Sequence, residues 1–349
     1  MSDNASMRLL ITDPLHPVVD CTIQPLKAQL PKGLVVLGVT PVRGATPPTS
    51  LDGLVVCPPL DDPRFVSALA ELVRRCRADV VLPWTDAEAL VISRGVEELA
   101  RAGARVACPP AALVELACDK WATLRRLAEL RVPVPATYLV GSAAELLDAA
   151  AELGYPNRSL MIKPRRLAGG RGVWSIRADV DLTCTTPRPR LPLEAVYASV
   201  TLMDSPVELL VQAEVPGIDV SVDVLAVDGK IAGLVVRTRT AVLGGLCVQG
   251  TVQPSWPELD ETIERLISGL TWSNLANVQL IADPATGTVT VYEINGRAAG
   301  SVGVASLAEV DLLAAALEYT HTGLPPATPL EVGAPVGFRR YWQDQAWPL

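Results

Sequence analysis

The stretches Leu275–Ile281 (LANVQLI), Asp283–Gly287 (DPATG) and Thr288–Ile294 (TVTVYEI) predict a β-hairpin. Pro284 pre-sets the backbone φ angle of a turn, and Gly287 tolerates a positive φ. The return strand is therefore expected to run antiparallel to the first strand.

Three oxygen-bearing side chains of this hairpin are predicted to face one spot. A register centred on Thr286 places Gln279 opposite Glu293, with β-carbons about 5 Å apart, and Asn295 shares a face with Glu293. Apolar neighbours make a carboxylate costly there unless it has a partner. Mg²⁺ is a suitable partner because it binds through one or two carboxylates plus waters and phosphates. The polar face of an ordinary hairpin is the alternative interpretation.

A glycine-rich loop follows a predicted strand that ends at Lys163-Pro164. Gly169, Gly170 and Gly172 remove side chains, so backbone N–H groups can approach an anion, and flanking basic residues favour phosphate. The spacing lacks the Gly-Lys-Ser/Thr ending of a Walker loop, and Val173–Ile176 resembles a strand, so a dinucleotide fingerprint is not indicated either. A plain hairpin turn is the alternative.

Lysine is scarce in this chain, which draws attention to the lysines that fall in motifs. They are Lys27, Lys32, Lys120, Lys163 and Lys230. Lys120 follows Asp119, a predicted N-cap of a helix that runs through Leu130. A cation in the first turn opposes the helix dipole unless an anion lies nearby. The alternative, a lysine at the edge of a core helix, leaves the choice of lysine over arginine unexplained.

The segment Leu209–Leu225 predicts two strands around a Pro216-Gly217 turn, and a third strand follows Asp228-Gly229 as a meander. Gln212 and Asp219 flank the first turn, where they are placed to reach a base edge and a ribose hydroxyl pair, with the backbone of Val215 beside the base. An ordinary hairpin with polar ends is the alternative.

The order of these pieces resembles the ATP-grasp superfamily, in particular the branch of biotin carboxylase and the carbamoyl-phosphate synthetase halves. The resemblance covers about residues 80 to 306. No single motif is specific for the family, whereas the ordered set of motifs is. Two departures are Gly296, where a proline is common, and Ala213, where an acidic residue is frequent. Asp219 stands where the family more often has glutamate.

The resemblance implies a nucleotide site and a metal site for Mg²⁺ or Mn²⁺. The residues implied for ATP are Lys120, Lys163, Gly169, Gly170, Gly172, Gln212, Ala213, Glu214, Val215 and Asp219, with Gly169–Gly172 as a mobile loop over the triphosphate. The residues implied for the metal are Gln279, Glu293 and Asn295. Arg297 matches the arginine that steadies an acyl phosphate. Either Arg237 or Arg239 is a candidate for the substrate carboxylate, although an exposed strand arginine is an equally simple interpretation.

Composition is consistent with a large cytoplasmic enzyme. The chain has 349 residues, 49% of them hydrophobic, and a net charge of −8, which disfavours nucleic acid as a partner. Its first residues show no targeting signal, and its apolar runs are too short for a membrane span. The seven scattered cysteines lack Cys-x-x-Cys spacing, so neither disulfides nor zinc are indicated. Only two histidines are present, and His16 is expected in a loop.

The predicted fold class is α/β (α+β), with a parallel α/β domain, a small lid and an antiparallel catalytic sheet. The expected domains are 1–115 (N-terminal α/β), 116–137 (linking helix), 138–211 (lid), 212–325 (catalytic) and 326–349 (tail). Helices are predicted over Pro63–Arg77 and Asp86–Gly103, and helix capping by Thr85 or Asp86 is preferred to substrate contact. The stretch 183–190 is expected to be a mobile surface segment. Phe338, Tyr341 and Trp342 suggest that the tail adds a strand.

The predicted function is an ATP-dependent carboxylate-amine ligase that forms an amide through an acyl phosphate and releases ADP and phosphate. Its partners would be a small carboxylic acid and an amino-acid-like amine, and a homodimer is compatible with the sequence. Two alternatives stay open: an enzyme that uses bicarbonate, as carboxylases and carbamoylating enzymes do, and a non-catalytic ATP-binding regulator. The complete set of Gln279, Glu293, Asn295 and Arg297 argues against the regulator.

Overall fold

The computed structural model describes residues 7–30, 33–167, 172–178, 190–201 and 208–341. Within these ranges, the chain forms three β-sheets with covering helices, which confirms the α/β class. Each helix of this part of the chain is too short or too polar to span a lipid bilayer.

The first sheet is parallel, and its strands lie in the order β3-β2-β1-β4-β5. Its elements are β1 (Met7–Thr12), α1 (Val19–Gln29), β2 (Leu34–Thr40), β3 (Gly53–Val56), α2 (Phe65–Cys76), β4 (Val80–Leu82), α3 (Asp86–Arg94), α4 (Val96–Ala102) and β5 (Arg105–Val106). The strand order reverses between β1 and β4, and ligands of open α/β sheets bind beyond the carboxyl ends of such strands.

The predicted helix Asp86–Gly103 is wrong as a single element, because the chain breaks it at Gly95 into α3 and α4. A β-carbon at Gly95 would lie 2.4 Å from a methyl group of Val66 on α2. The glycine therefore allows a close approach of α2 that a longer side chain would prevent, and it weakens the helix at the same point.

Two helices lead from the first sheet to the second: α5 (Ala111–Cys118) and α6 (Lys120–Glu129). The predicted N-cap of α6 is confirmed, because the Asp119 carboxylate accepts a hydrogen bond from the N–H of Ala122 at 3.1 Å.

The second sheet has the order β6-β10-β7-β8-β9. Its elements are β6 (Thr137–Val140), α7 (Ala143–Glu152), β7 (Leu160–Pro164), β8 (Trp174–Ile176), β9 (Arg190–Leu191), α8 (Leu193–Thr201) and β10 (Leu209–Ala213). The predicted meander is wrong in its first strand, since β10 pairs with β6 and β7 and not with the strand that follows it. β10 also spans the predicted boundary at residues 211 and 212. Most of the predicted mobile segment 183–190 lies outside the described residues.

The third sheet has the order β13-β14-β12-β11-β15-β16, with β17 paired to β14. Its elements are β11 (Ile218–Val227), β12 (Lys230–Thr238), β13 (Ala241–Leu243), β14 (Leu246–Gln253), α9 (Pro257–Leu270), β15 (Asn274–Ala282), β16 (Val289–Asn295), a 3₁₀ helix (Val302–Ala308), α10 (Leu312–Thr322) and β17 (Val336–Arg339). The tail thus adds a strand, as predicted, and Phe338 is buried in it. Tyr341 is 80% exposed, and Trp342 lies outside the described residues.

One face of the third sheet packs against α9 and is apolar. Val220, Val222 and Val224 of β11 point to this face and form a buried cluster with Ile263 and Leu266 of α9. Because strand side chains alternate, Asp219, Ser221 and Asp223 point to the opposite face. That polar face carries the residues that the sequence predicted for the metal site.

Candidate nucleotide and metal site

The predicted pairing of Gln279 with Glu293 is present, and a β-bulge produces it. Nearer the turn, Leu280 pairs with Val291, so Tyr292 is the extra residue of β16. Without the bulge, Gln279 would face Tyr292 rather than Glu293. The carboxylate is therefore placed by an irregularity that an ideal register does not contain.

Asn277 orients the amide groups of both neighbouring candidate metal ligands. Its Oδ1 accepts hydrogen bonds from Gln279 Nε2 at 3.4 Å and from Asn295 Nδ2 at 3.3 Å. Its own Nδ2 donates at 2.8 Å to Ser221 and at 2.8 Å to Asp223. Since both amide nitrogens turn toward Asn277, both amide oxygens point away from it. The sequence interpretation missed this residue, although its position two before Gln279 on an apolar strand was a usable signal.

The amide oxygens of Gln279 and Asn295 accept hydrogen bonds from arginines. Gln279 Oε1 accepts from Arg239 Nη1 at 3.3 Å, and Asn295 Oδ1 accepts from Arg297 Nη2 at 3.3 Å. Among the described residues, no group of three His, Cys, Asp or Glu side chains is placed to hold a metal. One carboxylate with two amide oxygens nevertheless fits Mg²⁺, which relies on few protein ligands and on substrate phosphates.

Both lysines singled out in the sequence are buried and lie beside this pair of strands. Lys120 Nζ lies 3.6 Å from Glu293 Oε1 and donates a hydrogen bond to the carbonyl of Leu167. Glu293 is thus the anion that a cation at the start of α6 requires. Lys163 Nζ donates to the carbonyl of Tyr292 at 3.2 Å and lies 5.4 Å from the centre of its ring.

Asp119 ties the start of the glycine loop to α6. Its carboxylate accepts from Arg165 Nε at 2.8 Å and Nη2 at 2.6 Å, and from Arg166 Nη2 at 2.7 Å. Burial alone raises the pKa of this carboxyl, but the hydrogen bonds from Arg165 and Ala122 and the two arginine charges outweigh burial, so its pKa is lowered. Gly172 has a φ of +67° and packs against Pro164. Gly169 and Gly170 lie outside the described residues.

The residues implied for the base and the ribose lie where β10 leads into β11. Gln212 is buried and donates to the Thr137 hydroxyl at 2.8 Å, while Glu214 pairs with Arg177 at 3.2 Å. The backbone N–H groups of Ala213 and Glu214 donate to the carbonyls of Ala136 and Ser159, and Val215 is half-buried. Asp219 accepts from the Tyr292 hydroxyl at 2.9 Å, on the same face as Gln279.

Arg237 and Arg239 are not exposed strand arginines, so that alternative is wrong. Arg237 is fully buried, donates to Asp223 at 2.5 Å and to Ser301, and makes a longer contact with Ser221 at 3.4 Å. The Arg239 side chain is 6% exposed. Its donors contact the Tyr292 hydroxyl at 2.9 Å, Gln279 at 3.3 Å, and Asp219 and the Gly245 carbonyl at 3.4 Å each.

Arg297 joins this site to the carboxyl edge of the first sheet. Its Nη2 donates to Asp86 at 2.9 Å, at the first residue of α3. Thr85 caps that helix through a capping box with Glu88, as predicted for this loop. His16 lies in the loop after β1, as expected. Burial lowers its pKa, Asp13 opposes this effect, and the charges of Arg297 and Arg340 add to the lowering.

Residues 205–339 match a family model described as "ATP-grasp in the biosynthetic pathway with Ter operon". The segment 205–339 of the chain is therefore similar to an ATP-grasp family. The matched segment contains every metal-site residue predicted from the sequence, as well as Arg237 and Arg239.

Curated relatives of this chain include two carbamoyl phosphate synthase large chains. The protein from Rubrobacter xylanophilus is 34% identical over 122 residues, which are 35% of this chain and 11% of the relative. The protein from Methanothermobacter thermautotrophicus is 26% identical over 260 residues, or 71% of this chain and 23% of the relative. The chain therefore matches less than a quarter of the length of either relative.

Solved structures with a similar fold cover most of the chain. N5-carboxyaminoimidazole synthetase from Staphylococcus aureus, complexed with ADP, has a TM-score of 0.70 at 14% identity, over 95% of this chain and 81% of that chain. Biotin carboxylase from Campylobacter jejuni gives 0.68 at 16%, over 93% and 73%. The L-amino acid ligase from Bacillus licheniformis gives 0.65 at 14%, over 92% and 75%. These likenesses establish the fold.

Proposed function

We propose that this ATP-grasp protein is an ADP-forming carboxylate-amine ligase that uses ATP with Mg²⁺. The observation that carries the proposal is the facing pair of Gln279 and Glu293 with the buried Lys120 at 3.6 Å from the carboxylate. A half-buried carboxylate beside a cation, flanked by oriented amide oxygens, suits a metal bound to phosphates. The S. aureus synthetase, a neighbour with a similar fold, was solved in complex with ADP, which supports a nucleotide as a ligand of this fold.

The nucleotide roles proposed for this chain follow the sequence prediction and the observed geometry. The two buried lysines would contact the phosphates, β10 and its exit would hold adenine, and Asp219 would hold ribose. Gln279, Glu293 and Asn295 would hold Mg²⁺, which supplies charge neutralisation when it is bound. The proposed division of the chain stays an N-terminal α/β domain (1–115), a linking helix (116–137), a lid (138–211), a catalytic domain (212–325) and a tail (326–349).

In the proposed reaction, a substrate carboxylate oxygen bonds to the γ-phosphorus of ATP and ADP leaves. An amine then attacks the acyl carbon, loses a proton, and displaces phosphate to form an amide. The protein's task in phosphoryl transfer is positioning and charge stabilisation. Lys120 and Lys163 supply charge, and Arg297 supplies a guanidinium held by Asp86 and Asn295.

Bicarbonate as the acid is the second candidate. Two relatives are carbamoyl phosphate synthases, and one neighbour in structure is a biotin carboxylase. The L-amino acid ligase neighbour supports the amide-forming candidate. The site residues described above fit both reactions, so the acid distinguishes the two candidates.

An ADP-release assay tests the proposal. The purified protein is given Mg-ATP with pools of amino acids, hydroxy acids or bicarbonate, each with and without an amine. We expect ADP release that depends on one acid pool, and ¹⁸O placed in that acid is expected to appear in the released phosphate. Label found in AMP would contradict the acyl phosphate. ATP binding without turnover on any pool would favour a regulatory protein.

A further inference from the structure

Arg340 follows β17 and carries buried hydrogen-bond donors that lack a partner. Its Nη1 donates to the Gly300 carbonyl at 3.0 Å, and its backbone N–H donates to Val248 at 2.8 Å. Its Nε and Nη2 are buried and have no hydrogen-bond partner among the described residues. These two donors lie on one edge of the guanidinium, which is the edge that binds a carboxylate through two parallel hydrogen bonds.

Two other arginines of this region, Arg237 and Arg297, each have a carboxylate partner. Arg237 lies nearby, and its Nε is also buried without a partner, although Asp223 at 2.5 Å neutralises its charge. Asp86 neutralises Arg297 in the same way. Burial lowers the pKa of Arg340, Cys21 opposes this effect, and the charge of Arg237 adds to the lowering. No carboxylate is paired with Arg340 among the described residues.

A buried guanidinium without an anion is unfavourable, because its donors have lost water and gained nothing in return. A bound carboxylate removes this penalty. Arg237 and Arg239 were the sequence candidates for a substrate carboxylate, but both are filled by protein groups. Among the described residues, Arg340 is therefore the arginine of this sheet whose carboxylate-binding edge, Nε and Nη2, has no protein partner.

We propose that Arg340 binds a carboxylate of the substrate that does not react. Two hydrogen bonds from one guanidinium edge to both carboxylate oxygens would reduce the nucleophilicity of a reacting carboxylate. The carboxylate bound by Arg340 therefore positions the substrate and does not react. The substrate is then either a dicarboxylic acid or an amino acid that serves as the amine. The assignment of this anion as a substrate rests on the proposed function.

The test uses titration calorimetry of the full chain, with and without Mg²⁺ and a non-hydrolysable ATP analogue. The probes are succinate and glutarate for the dicarboxylic acids, glycine and L-alanine for the amino acids, and acetate as the single-carboxylate reference. We expect succinate or glutarate, or one of the amino acids, to bind more tightly than acetate. Failure of every probe to bind the wild-type protein would overturn the proposal.

Arg340→Gln is expected to weaken that binding about tenfold to a hundredfold, the range for a lost charge-assisted hydrogen bond. The affinity of Arg340→Lys should lie between those of wild type and Arg340→Gln, because lysine keeps the charge but cannot form two parallel hydrogen bonds. Arg339→Gln is the matched control, because Arg339 is the exposed neighbour that contacts Gln249 at 2.9 Å, and it should bind as wild type does. Equal affinity of wild type and Arg340→Gln would overturn the proposal.

Two further readouts separate this proposal from a structural role and from the proposed function. The thermal midpoint of ligand-free Arg340→Gln should be unchanged or higher, since an unpaired buried charge is removed. A lower midpoint together with lost binding would assign Arg340 a structural role. If Mg-ADP fails to bind while carboxylate binding still depends on Arg340, the proposed ligase function fails and the anion site stands.

Discussion

Asn277 shows how a single buried side chain sets the geometry of its neighbours. It lies between Asp223, which fixes its amide nitrogen, and the amides of Gln279 and Asn295, which donate to its oxygen. Arg237 binds the other oxygen of Asp223. The orientation of the two amide ligands therefore depends on a chain of hydrogen bonds that begins at a buried ion pair.

Replacing Asn277 with alanine is expected to raise the Mg²⁺ concentration needed for half-maximal ADP release by about tenfold to a hundredfold, the usual effect of removing a group that orients metal ligands. Asn274→Ala is the control, since Asn274 is a buried asparagine of the same strand that bonds to Thr320. It should lower stability without changing the Mg²⁺ dependence. An unchanged Mg²⁺ requirement in Asn277→Ala would contradict the orienting role.

Glu293→Gln removes the carboxylate of the proposed metal site and keeps its shape. ADP release is expected to fall by at least about a hundredfold, because a metal held by one carboxylate loses its only protein charge. The fold should persist, as judged by circular dichroism. Glu258→Gln, an exposed glutamate on α9, should release ADP at the wild-type rate. Near wild-type release by Glu293→Gln would refute the metal assignment.

At the scale of elements, the start of α6 carries two residues of opposite charge, the N-cap Asp119 and the first helical residue Lys120, which contact different partners. Asp119 caps the helix and holds Arg165 and Arg166, while Lys120 turns to Glu293 and the carbonyl of Leu167. The first turn of this helix thus connects the strand pair of the metal site to the start of the glycine loop. The cap was predictable from the sequence, whereas the arginine contacts join positions more than forty residues apart.

Asp119→Asn tests this connection through its pH dependence. Asparagine is an equally good N-cap, so the substitution removes mainly the charge. Because the folded-state pKa of Asp119 lies below the ordinary 3.8, its contribution to stability is present above 3.8 and is lost as pH falls through the folded value. The thermal midpoint of wild type should exceed that of the variant at neutral pH, and the gap should narrow as pH falls below 3.8 and through the lowered folded-state pKa. A gap that does not change with pH would argue against the ion pairs.

Sequence reasoning predicted most of this fold from local signals, and its errors share one physical origin. Helix caps, turns and alternating strands depend on neighbouring residues, so α6, β11 and the hairpin of Gln279 and Glu293 were predictable. The break at Gly95 depends on Val66 of another helix, and the sheet to which β10 belongs depends on β6 and β7. The sequence alone does not predict the unpartnered donors of Arg340, because its surroundings depend on the pairing of β17 with β14.

At the scale of the whole molecule, the carboxyl edge of the first sheet meets the polar face of the third sheet. The contact is the ion pair of Asp86 and Arg297, whose side chains are 12% and 15% exposed. Asp86 leads α3 directly after β4, at the reversal of strand order where ligands of open sheets bind. The position of Arg297, an arginine of the proposed chemistry, therefore depends on both the first and the third sheet.

Asp86→Asn is expected to lower the free energy of unfolding by about 1.5–3 kcal/mol, since it weakens a hydrogen bond between charged groups that are largely buried. Glu115→Gln is the control, because it removes the exposed ion pair between Arg94 of α3 and Glu115 of α5, whose side chains are 59% and 48% exposed. This control should change the free energy of unfolding by less than about 1 kcal/mol. Urea unfolding curves of the two variants compare them directly. Equal losses would mean that the Asp86 pair is no stronger than a surface pair.

The alternation along β11 implies an unusual intolerance of changes in length. Its odd-numbered positions from 219 to 223 serve the polar face, and its even-numbered positions from 220 to 224 fill the core. A single-residue deletion within the strand would exchange the two sets, placing acids among the aliphatic side chains of α9 and valines beside Gln279. In a library of single-residue deletions, variants that lack one of residues 219–223 should not fold. Variants that lack one residue of the exposed stretch 327–329 should fold.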